Sequence, residues 1–116
     1  MKTLMLFVSW AVLGQAYADP LKIALVLDHA GKDDKSFNAS AYEGAKRAEK
    51  EMGITLKVVE APDNNAYESL QRSFAEKKFD LIVSIGLAQV ESVKKNAARF
   101  PDQKFVLIDE DAKMPN

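Results

Sequence analysis

Four short runs of apolar and β-branched residues alternate with three amphipathic segments along most of the chain. The runs lie at residues 21–28, 55–60, 80–85 and 104–109. Apolar runs of this length, without regular polar alternation, are typical of strands that are buried on both faces of a parallel sheet. The order β-α-β-α-β-α-β therefore predicts an α/β fold in which right-handed crossovers place helices on both faces of a parallel sheet.

The segments between these runs have helical periodicity. The first segment, 36–52, has apolar residues at steps of three and four: Phe37, Ala41, Ala45, Ala48 and Met52. Gly53 ends this segment, as a residue in the left-handed conformation often does. In the second segment Asn65 and Glu68 have the spacing of a capping box, which predicts a helix that begins at Asn65. A third helix is predicted over about 87–99.

The first eighteen residues follow a different pattern. A short positive start precedes the apolar run 4–13, and residues 16–18 form a small-x-small triplet. These three parts are typical of a secretory signal peptide, which predicts cleavage after Ala18. The apolar run is too short to cross a hydrocarbon core about 30 Å thick. Asp19 stands where a bacterial lipoprotein would have its lipidated Cys, so we expect a soluble, extracytoplasmic protein.

Composition excludes several classes of function. The chain has no cysteine and one histidine, which excludes thiolate chemistry, a disulfide scaffold and a His-rich metal cluster. Its 16 Lys+Arg and 17 Asp+Glu give a net charge of −1, whereas a nucleic-acid partner requires a clustered basic face. The sequence contains no phosphate loop, dinucleotide fingerprint, nucleophile elbow or metal motif. We therefore expect no catalytic residues, metal or cofactor.

A ligand site is predicted from the topology. An open parallel sheet binds ligands beyond the carboxyl ends of its strands, where the strand order reverses. With the order 2-1-3-4 this point lies between strands 1 and 3, next to Asp28 and Gly86, and Asp109 lies on the same edge. Phe37 and Asn38 begin the neighbouring helix, and helix N-termini offer backbone N–H donors.

Each of these residues also has a structural interpretation. Asp28 and Asp109 are equally suited to capping turns, Phe37 to packing in the core, and Gly86 to a tight strand-to-helix turn. Acidic residues at 33–34 favour the dipole of the helix that follows, and we interpret them as structural. His29 has no nucleophile beside it and is interpreted as a solvated loop residue.

Residues 26–54 carry a more specific pattern. Asp28, Gly31, the run 33–38 (DDKSFN) and the step 42–44 (YEG) occur in the order found in the basic membrane protein family. The sequence resembles this family, the PnrA-like nucleoside-binding lipoproteins of ABC transporters. Later blocks of the family are similar to residues 79–83, Gly86 and residues 100–109, so the resemblance covers nearly all of the chain after residue 18.

The resemblance implies the N-terminal lobe of a type I periplasmic binding protein, which closes on a purine nucleoside and delivers it to an ABC permease of the inner membrane. By position, Phe37 would stack on the base and Asn38 would hydrogen-bond to it. Asp28 and Asp109 would accept hydrogen bonds from polar ligand atoms, with Asp109 at the ribose hydroxyls, and Gly86 would belong to the same site. An aromatic face and carboxylates suit a flat heterocycle with a vicinal diol.

Three departures from the family keep an alternative open. The chain has no lipidation Cys, it has Leu87 where the family often has an aromatic residue, and no second lobe follows its fourth strand, whose edge we expect to be uncovered. The alternative is a stand-alone periplasmic interaction or sensor module without transport. A small flavodoxin-like enzyme or receiver domain is disfavoured, because residues 84–86 hold no acceptor Asp.

Overall fold

The computed structural model describes residues 18–116. The predicted signal peptide, residues 1–18, lies outside the described residues except for Ala18. Between residues 18 and 116, no helix is both long enough and apolar enough to cross a membrane.

The described part of the chain forms four strands and three α-helices in the predicted order. Their bounds are β1 (Lys22–Leu27), α1 (Phe37–Met52), β2 (Thr55–Glu60), α2 (Tyr67–Glu76), β3 (Leu81–Ile85), α3 (Val90–Arg99) and β4 (Phe105–Ile108). A 3₁₀ turn, Leu87–Gln89, precedes α3. The strands form one parallel sheet in the order β2-β1-β3-β4. The predicted fold class and strand order are therefore confirmed.

The central strand β1 divides the core between the two faces of the sheet. Ala24 and Val26 pack with Tyr67 and Phe74 of α2, whereas Leu25 and its neighbours on the other face pack against α1. Right-handed crossovers explain this arrangement. The connections through α2 and α3 cross the sheet in one direction and the connection through α1 crosses it in the other, so α1 lies on the opposite face.

The start of α2 differs from the prediction. The helix begins at Tyr67, its N-cap is Ala66, and no side chain caps it, so the predicted capping box at Asn65 is wrong. Asp63 instead determines the conformation before the helix, because its Oδ1 accepts the backbone N–H of Asn65 at 2.8 Å. The Asx turn that results holds Asn65 outside the helix.

β4 is an edge strand of the sheet, and one of its faces is partly uncovered. Val106 and Ile108 are exposed, because α1 is the helix on their face and it packs over β1 and β2. The residues after β4 do not simply extend away from the fold. They return along α3, where the side-chain amide of Asn116 donates to the carbonyl oxygens of Ala97 (3.1 Å), Phe100 (3.1 Å) and Gln103 (3.0 Å).

Candidate functional site

The strand order reverses between β1 and β3, and the structure brings the predicted site residues to this edge. Asp28 follows β1, Gly86 follows β3 and Asp109 follows β4, while Phe37 and Asn38 form the start of α1. We call this carboxyl end of the sheet the switch-point edge. Backbone pairing between β1 and β3 ends at Val26 and Ser84, so the two strands separate just below it.

Asn38 organises the loop between β1 and α1. Its side chain is 1% exposed, and its amide nitrogen donates to Asp28 Oδ1 at 2.6 Å and to Asp34 Oδ2 at 2.9 Å. Its Oδ1 accepts the backbone N–H of Asp28 at 3.1 Å. Asp28 Oδ1 also accepts the N–H of Ala30 at 2.7 Å. One oxygen of Asp28 is therefore committed to the loop, whereas Oδ2 has no hydrogen-bond partner among residues 18–116.

Asp34 caps the N-terminus of α1, which confirms its structural interpretation. Its carboxylate accepts the backbone N–H groups of Ser36 (2.8 Å), Asn38 (3.0 Å) and Ala39 (3.0 Å). Partial burial alone would raise the pKa of Asp34, but these hydrogen bonds and the Asn38 amide outweigh it and lower the pKa below its ordinary value of 3.8. Two first-turn donors of α1, the N–H groups of Asn38 and Ala39, are consequently occupied by the protein's own carboxylate.

Phe37 is not part of the core. Its side chain is 59% exposed, so the interpretation of Phe37 as a core residue is wrong. The reason lies in the position of the first turn of α1, which Asn38 attaches to Asp28 just beyond the end of β1. Nothing in the described part of the chain covers the ring there, whereas Ala41 and Ala45, one and two turns later, pack against the sheet.

Gly86 and Asp109 lie on neighbouring strands at the same edge. Gly86 has a φ of 85°, a backbone conformation that favours glycine, and its N–H donates to the carbonyl of Ile108 at 3.0 Å. Asp109 is exposed and has a φ of 72° although it is not glycine. Leu87, which follows Gly86, is 72% exposed. An apolar side chain thus lies on each side of the switch point, one after β1 and one after β3.

Two residues at this edge were missed by the sequence analysis. The Tyr67 hydroxyl donates to Asn64 Oδ1 (3.2 Å) and accepts the backbone N–H of His29 (3.4 Å), which connects the two loops that follow β1 and β2. Burial raises the pKa of Tyr67, with the His29 N–H acting in the opposite direction. Gln89 is the other, and its fully buried amide lies beneath the turn after β3. The sequence does indicate that Gln89 is buried, because it lies four residues, or about one helical turn, before the buried Val93 of α3.

A groove of about 720 Å³ lies at the other end of the sheet. It is lined by the amino ends of β1 and β3 and by the segment after α3, and none of the predicted site residues lines it. Size alone does not make it the ligand site, because the divergence of strands and the convergence of helix N-termini occur at the carboxyl edge. Within residues 18–116, no group of three His, Asp or Glu side chains is arranged to hold a metal ion.

The family model for ABC transporter substrate-binding proteins of the PnrA-like type matches residues 21–115. The chain belongs to this family. PnrA-like proteins are substrate-binding proteins rather than enzymes. The predicted family is therefore confirmed.

Relatives match over most of this chain but over a smaller part of their own length. An uncharacterized lipoprotein of Pyrococcus furiosus is 37% identical over 105 residues, which cover 89% of this chain and 26% of the relative. Basic membrane protein A of Borreliella burgdorferi is 34% identical, and the match covers 89% of this chain and 30% of that protein. The ABC transporter nucleoside-binding protein of Lactococcus lactis is 29% identical, and the match covers 77% of this chain and 26% of that protein. The chain thus spans about a quarter of the length of these PnrA-like relatives.

A solved structure supports the same assignment of fold. The solute-binding protein of an ABC transporter system from Aeropyrum pernix superimposes with a TM-score of 0.74 and is 34% identical. The match covers 81% of this chain and 26% of that protein. The observed sheet is therefore that of a lobe of an ABC solute-binding protein.

The prediction of a soluble protein without a lipid is wrong. PnrA-like relatives from three Pyrococcus species, each 37% identical to this chain, are lipoproteins. The prediction rested on Asp19 in place of a lipidated Cys. A single residue near a predicted cleavage point carries less weight than the lipoprotein nature of relatives that match most of the chain.

Proposed function

We propose that this chain is the part of an ABC importer's substrate-binding protein that binds a purine nucleoside at the switch-point edge. The observation that carries the proposal is the exposed ring of Phe37, next in sequence to Asn38, whose side chain binds the carboxylate of Asp28. The relative from Lactococcus lactis, a nucleoside-binding protein, supports the same ligand class. As in other members of the family, the ligand would pass to a permease of the inner membrane, and residues 1–18 would serve as the export signal.

The aromatic contact supplies most of the expected affinity. With 59% of its surface exposed, Phe37 offers a ring face on which a purine can stack. Stacking of a base on an aromatic side chain contributes about 1–3 kcal/mol when measured by alanine substitution. Leu87, on the other side of the switch point, adds apolar surface at the same edge.

Polar contacts to the nucleoside come from carboxylates. Asp28 Oδ2 and the exposed carboxylate of Asp109 are acceptors, which suit the N–H groups of a purine and the hydroxyls of a ribose. Gly86 has no side chain, which allows the ligand to approach the backbone closely at this position. Asn38 was predicted to bind the base directly, but both donors of its amide already bind carboxylates within the loop. We therefore propose that Asn38 acts by orienting Asp28.

The same geometry favours a nucleoside over a nucleotide. Helix N-termini bind phosphate through free N–H donors, but Asp34 already accepts two of these donors in α1, those of Asn38 and Ala39, and the N–H of Ser36 just before it. A phosphate would also meet the carboxylates of Asp28 and Asp109, and like charges repel. We therefore propose a neutral nucleoside as the ligand class.

The experiment is a titration of the chain with inosine, guanosine and adenosine, and with the corresponding monophosphates, by isothermal calorimetry. We expect Phe37→Ala to weaken nucleoside binding about 10- to 100-fold, which corresponds to the loss of one base stack. Its stability should change little, because the ring is exposed. Met52→Ala is the matched control, since Met52 is an apolar residue of the same helix that is 72% exposed at its far end.

Two outcomes would contradict the proposal. One is equal binding by wild-type protein and a folded Phe37→Ala variant, which would exclude stacking on this ring. The other is tighter binding of the monophosphates than of the nucleosides, which would show that the carboxylates do not face the ligand.

A further inference from the structure

Five buried polar side chains lie between α2, α3 and β3. We call them the buried polar cluster: Gln71, Ser84, Gln89, Ser92 and Asn96. The amide nitrogen of Gln71 is within hydrogen-bond distance of Gln89 Oε1 (3.0 Å), Ser84 Oγ (3.1 Å) and Ser92 Oγ (3.2 Å). Burying an amide costs free energy of desolvation. A connected group of buried amides therefore calls for a structural or functional reason.

Gln89 connects this cluster to the switch point. Its amide nitrogen donates to the carbonyl of Val26 on β1 at 2.8 Å and to the carbonyl of Ile85 on β3 at 3.2 Å. Backbone pairing between these strands ends at Val26 and Ser84. The side chain of Gln89 therefore joins the two strands at the level where their own ladder stops.

Gln89 is also the last residue of the 3₁₀ turn Leu87–Gln89, which lies at the switch-point edge. Its backbone N–H donates to the carbonyl of Gly86 at 3.1 Å, and its carbonyl accepts the hydroxyl of Ser92 at 2.9 Å. The turn is attached to β4 through the Gly86 N–H, which donates to the carbonyl of Ile108 at 3.0 Å, and it presents Leu87 at the edge with 72% of that residue exposed. The side chain of Gln89 attaches the same turn to β1.

We infer that Gln89 is a positioning residue for the switch-point edge: it fixes Gly86 and Leu87 relative to the carboxyl end of β1 without touching the ligand. This inference rests on the proposed function, because it assigns Gln89 a part in nucleoside binding. Its side chain is fully buried, so any effect on binding must act through the turn.

The test compares two buried amides of the same cluster. Gln89→Met keeps the length of the side chain and removes its hydrogen bonds to both strands. Asn96→Leu is the matched control, because Asn96 is equally buried and donates to Glu68 O and Gln71 Oε1, away from the turn. Both variants remove a buried amide from the cluster, so both report the general loss of stability.

Two measurements separate positioning from stability. We expect the amides at positions 86 and 89 to exchange at least about tenfold faster in Gln89→Met, because this variant loses the hydrogen bonds to both strands, and to be unchanged in Asn96→Leu. The nucleoside dissociation constant should rise about tenfold or more in Gln89→Met, as it does when outer-shell partners of a site are removed. It should stay within about twofold of wild type in Asn96→Leu.

The exchange measurement does not require a ligand, so it decides the role of Gln89 even if wild-type protein binds no nucleoside and the proposed function fails. Equal exchange and equal affinity in Gln89→Met and Asn96→Leu would overturn the inference. If Gln89→Met does not fold, Gln89→Asn replaces it, because the shorter amide cannot reach both carbonyls. The same pattern is then expected at positions 86 and 89.

Discussion

The two loops that flank the switch point are held in place in different ways. The loop between β1 and α1 is long, and its own side chains fix it: Asn38 joins Asp28 to Asp34 at hydrogen-bond distance. The turn between β3 and α3 is short and is held from below, where Gln89 binds the carbonyls of two strands. The first loop therefore depends on charged groups, and the second on neutral buried amides.

This difference teaches how a binding edge is supported on a parallel sheet. A long loop crosses the edge without core beneath it, so it needs internal hydrogen bonds to acquire a single conformation. A short turn remains over the core and can be held by one of its own side chains that reaches into the core. Three substitutions test this comparison.

Asn38→Ala should have the largest effect. It removes two donors from carboxylates and leaves Asp28 and Asp34 facing each other without the amide between them. Hydrogen bonds to charged groups contribute about 1.5–3 kcal/mol each, so we expect the free energy of unfolding to fall by about 3 kcal/mol in urea denaturation. Asn64→Ala is the control, because Asn64 is an exposed amide that accepts one hydrogen bond, from Tyr67. A loss no larger than that of the control would show that the loop does not depend on Asn38.

Gly31→Ala should have an intermediate effect. Gly31 has a φ of 73°, and a Cβ there would lie 3.0 Å from Glu60 Oε2, the carboxylate that accepts the N–H of Lys32. Gly53→Ala separates the two causes, because Gly53 has a φ of 67° but open space around it. The left-handed conformation accounts for about 1–2 kcal/mol in both variants. We expect a further loss of about 1 kcal/mol at Gly31 alone, from the disturbed Glu60 contact.

Asp34→Asn should have the smallest effect, and one that disappears at low pH. The native pKa of Asp34 lies below its ordinary value of 3.8. The stability contributed by its carboxylate is therefore present above about pH 3.8 and is lost as the pH falls through the lower native pKa. Asp34 is accessible to solvent, so screening keeps the contribution small. In denaturant titrations between pH 2 and pH 7, the variant should lose less stability on acidification than wild type.

Asp33→Asn is the matched control for this pH effect. Asp33 is a neighbouring exposed carboxylate whose partner is Lys32, at 2.9 Å. An equal change in pH dependence for Asp33→Asn and Asp34→Asn would indicate a general charge effect rather than the capping of α1. Gln89→Met should leave the pH dependence of wild type unchanged, because the turn after β3 is held by neutral groups.

The predictable part of the fold follows from local pattern. The apolar runs became β1 to β4, and the order 2-1-3-4, which is typical of flavodoxin-like sheets, is the observed order. The start of α2 was mispredicted, because Asp63 accepts the backbone N–H of Asn65 and holds that residue in a turn before the helix. Local side-chain hydrogen bonds of this kind offer the chain several equivalent turns, and the sequence spacing does not distinguish between them.

The candidate site was located by topology, but the roles of its members were not. Phe37 shares the spacing of Ala41 and Ala45, and periodicity alone assigns it to the core. It is exposed because the first turn of α1 extends beyond the sheet. Asn38 was predicted to face a ligand, and its amide is instead directed to two carboxylates that are four and ten residues away in sequence.

The sequence by itself determined the strands and helices, the right-handed crossovers that place helices on both faces, and the edge of the sheet at which the candidate site lies, since these depend on hydrophobic period and backbone chirality. The tertiary structure decided which polar atoms are free at that edge. Asp28 Oδ2 and the ring of Phe37 remain available, while Asp34 and Asn38 satisfy each other. Hydrogen-bond pairing among neighbouring polar groups depends on distances of a few tenths of an ångström, which only the packed chain fixes.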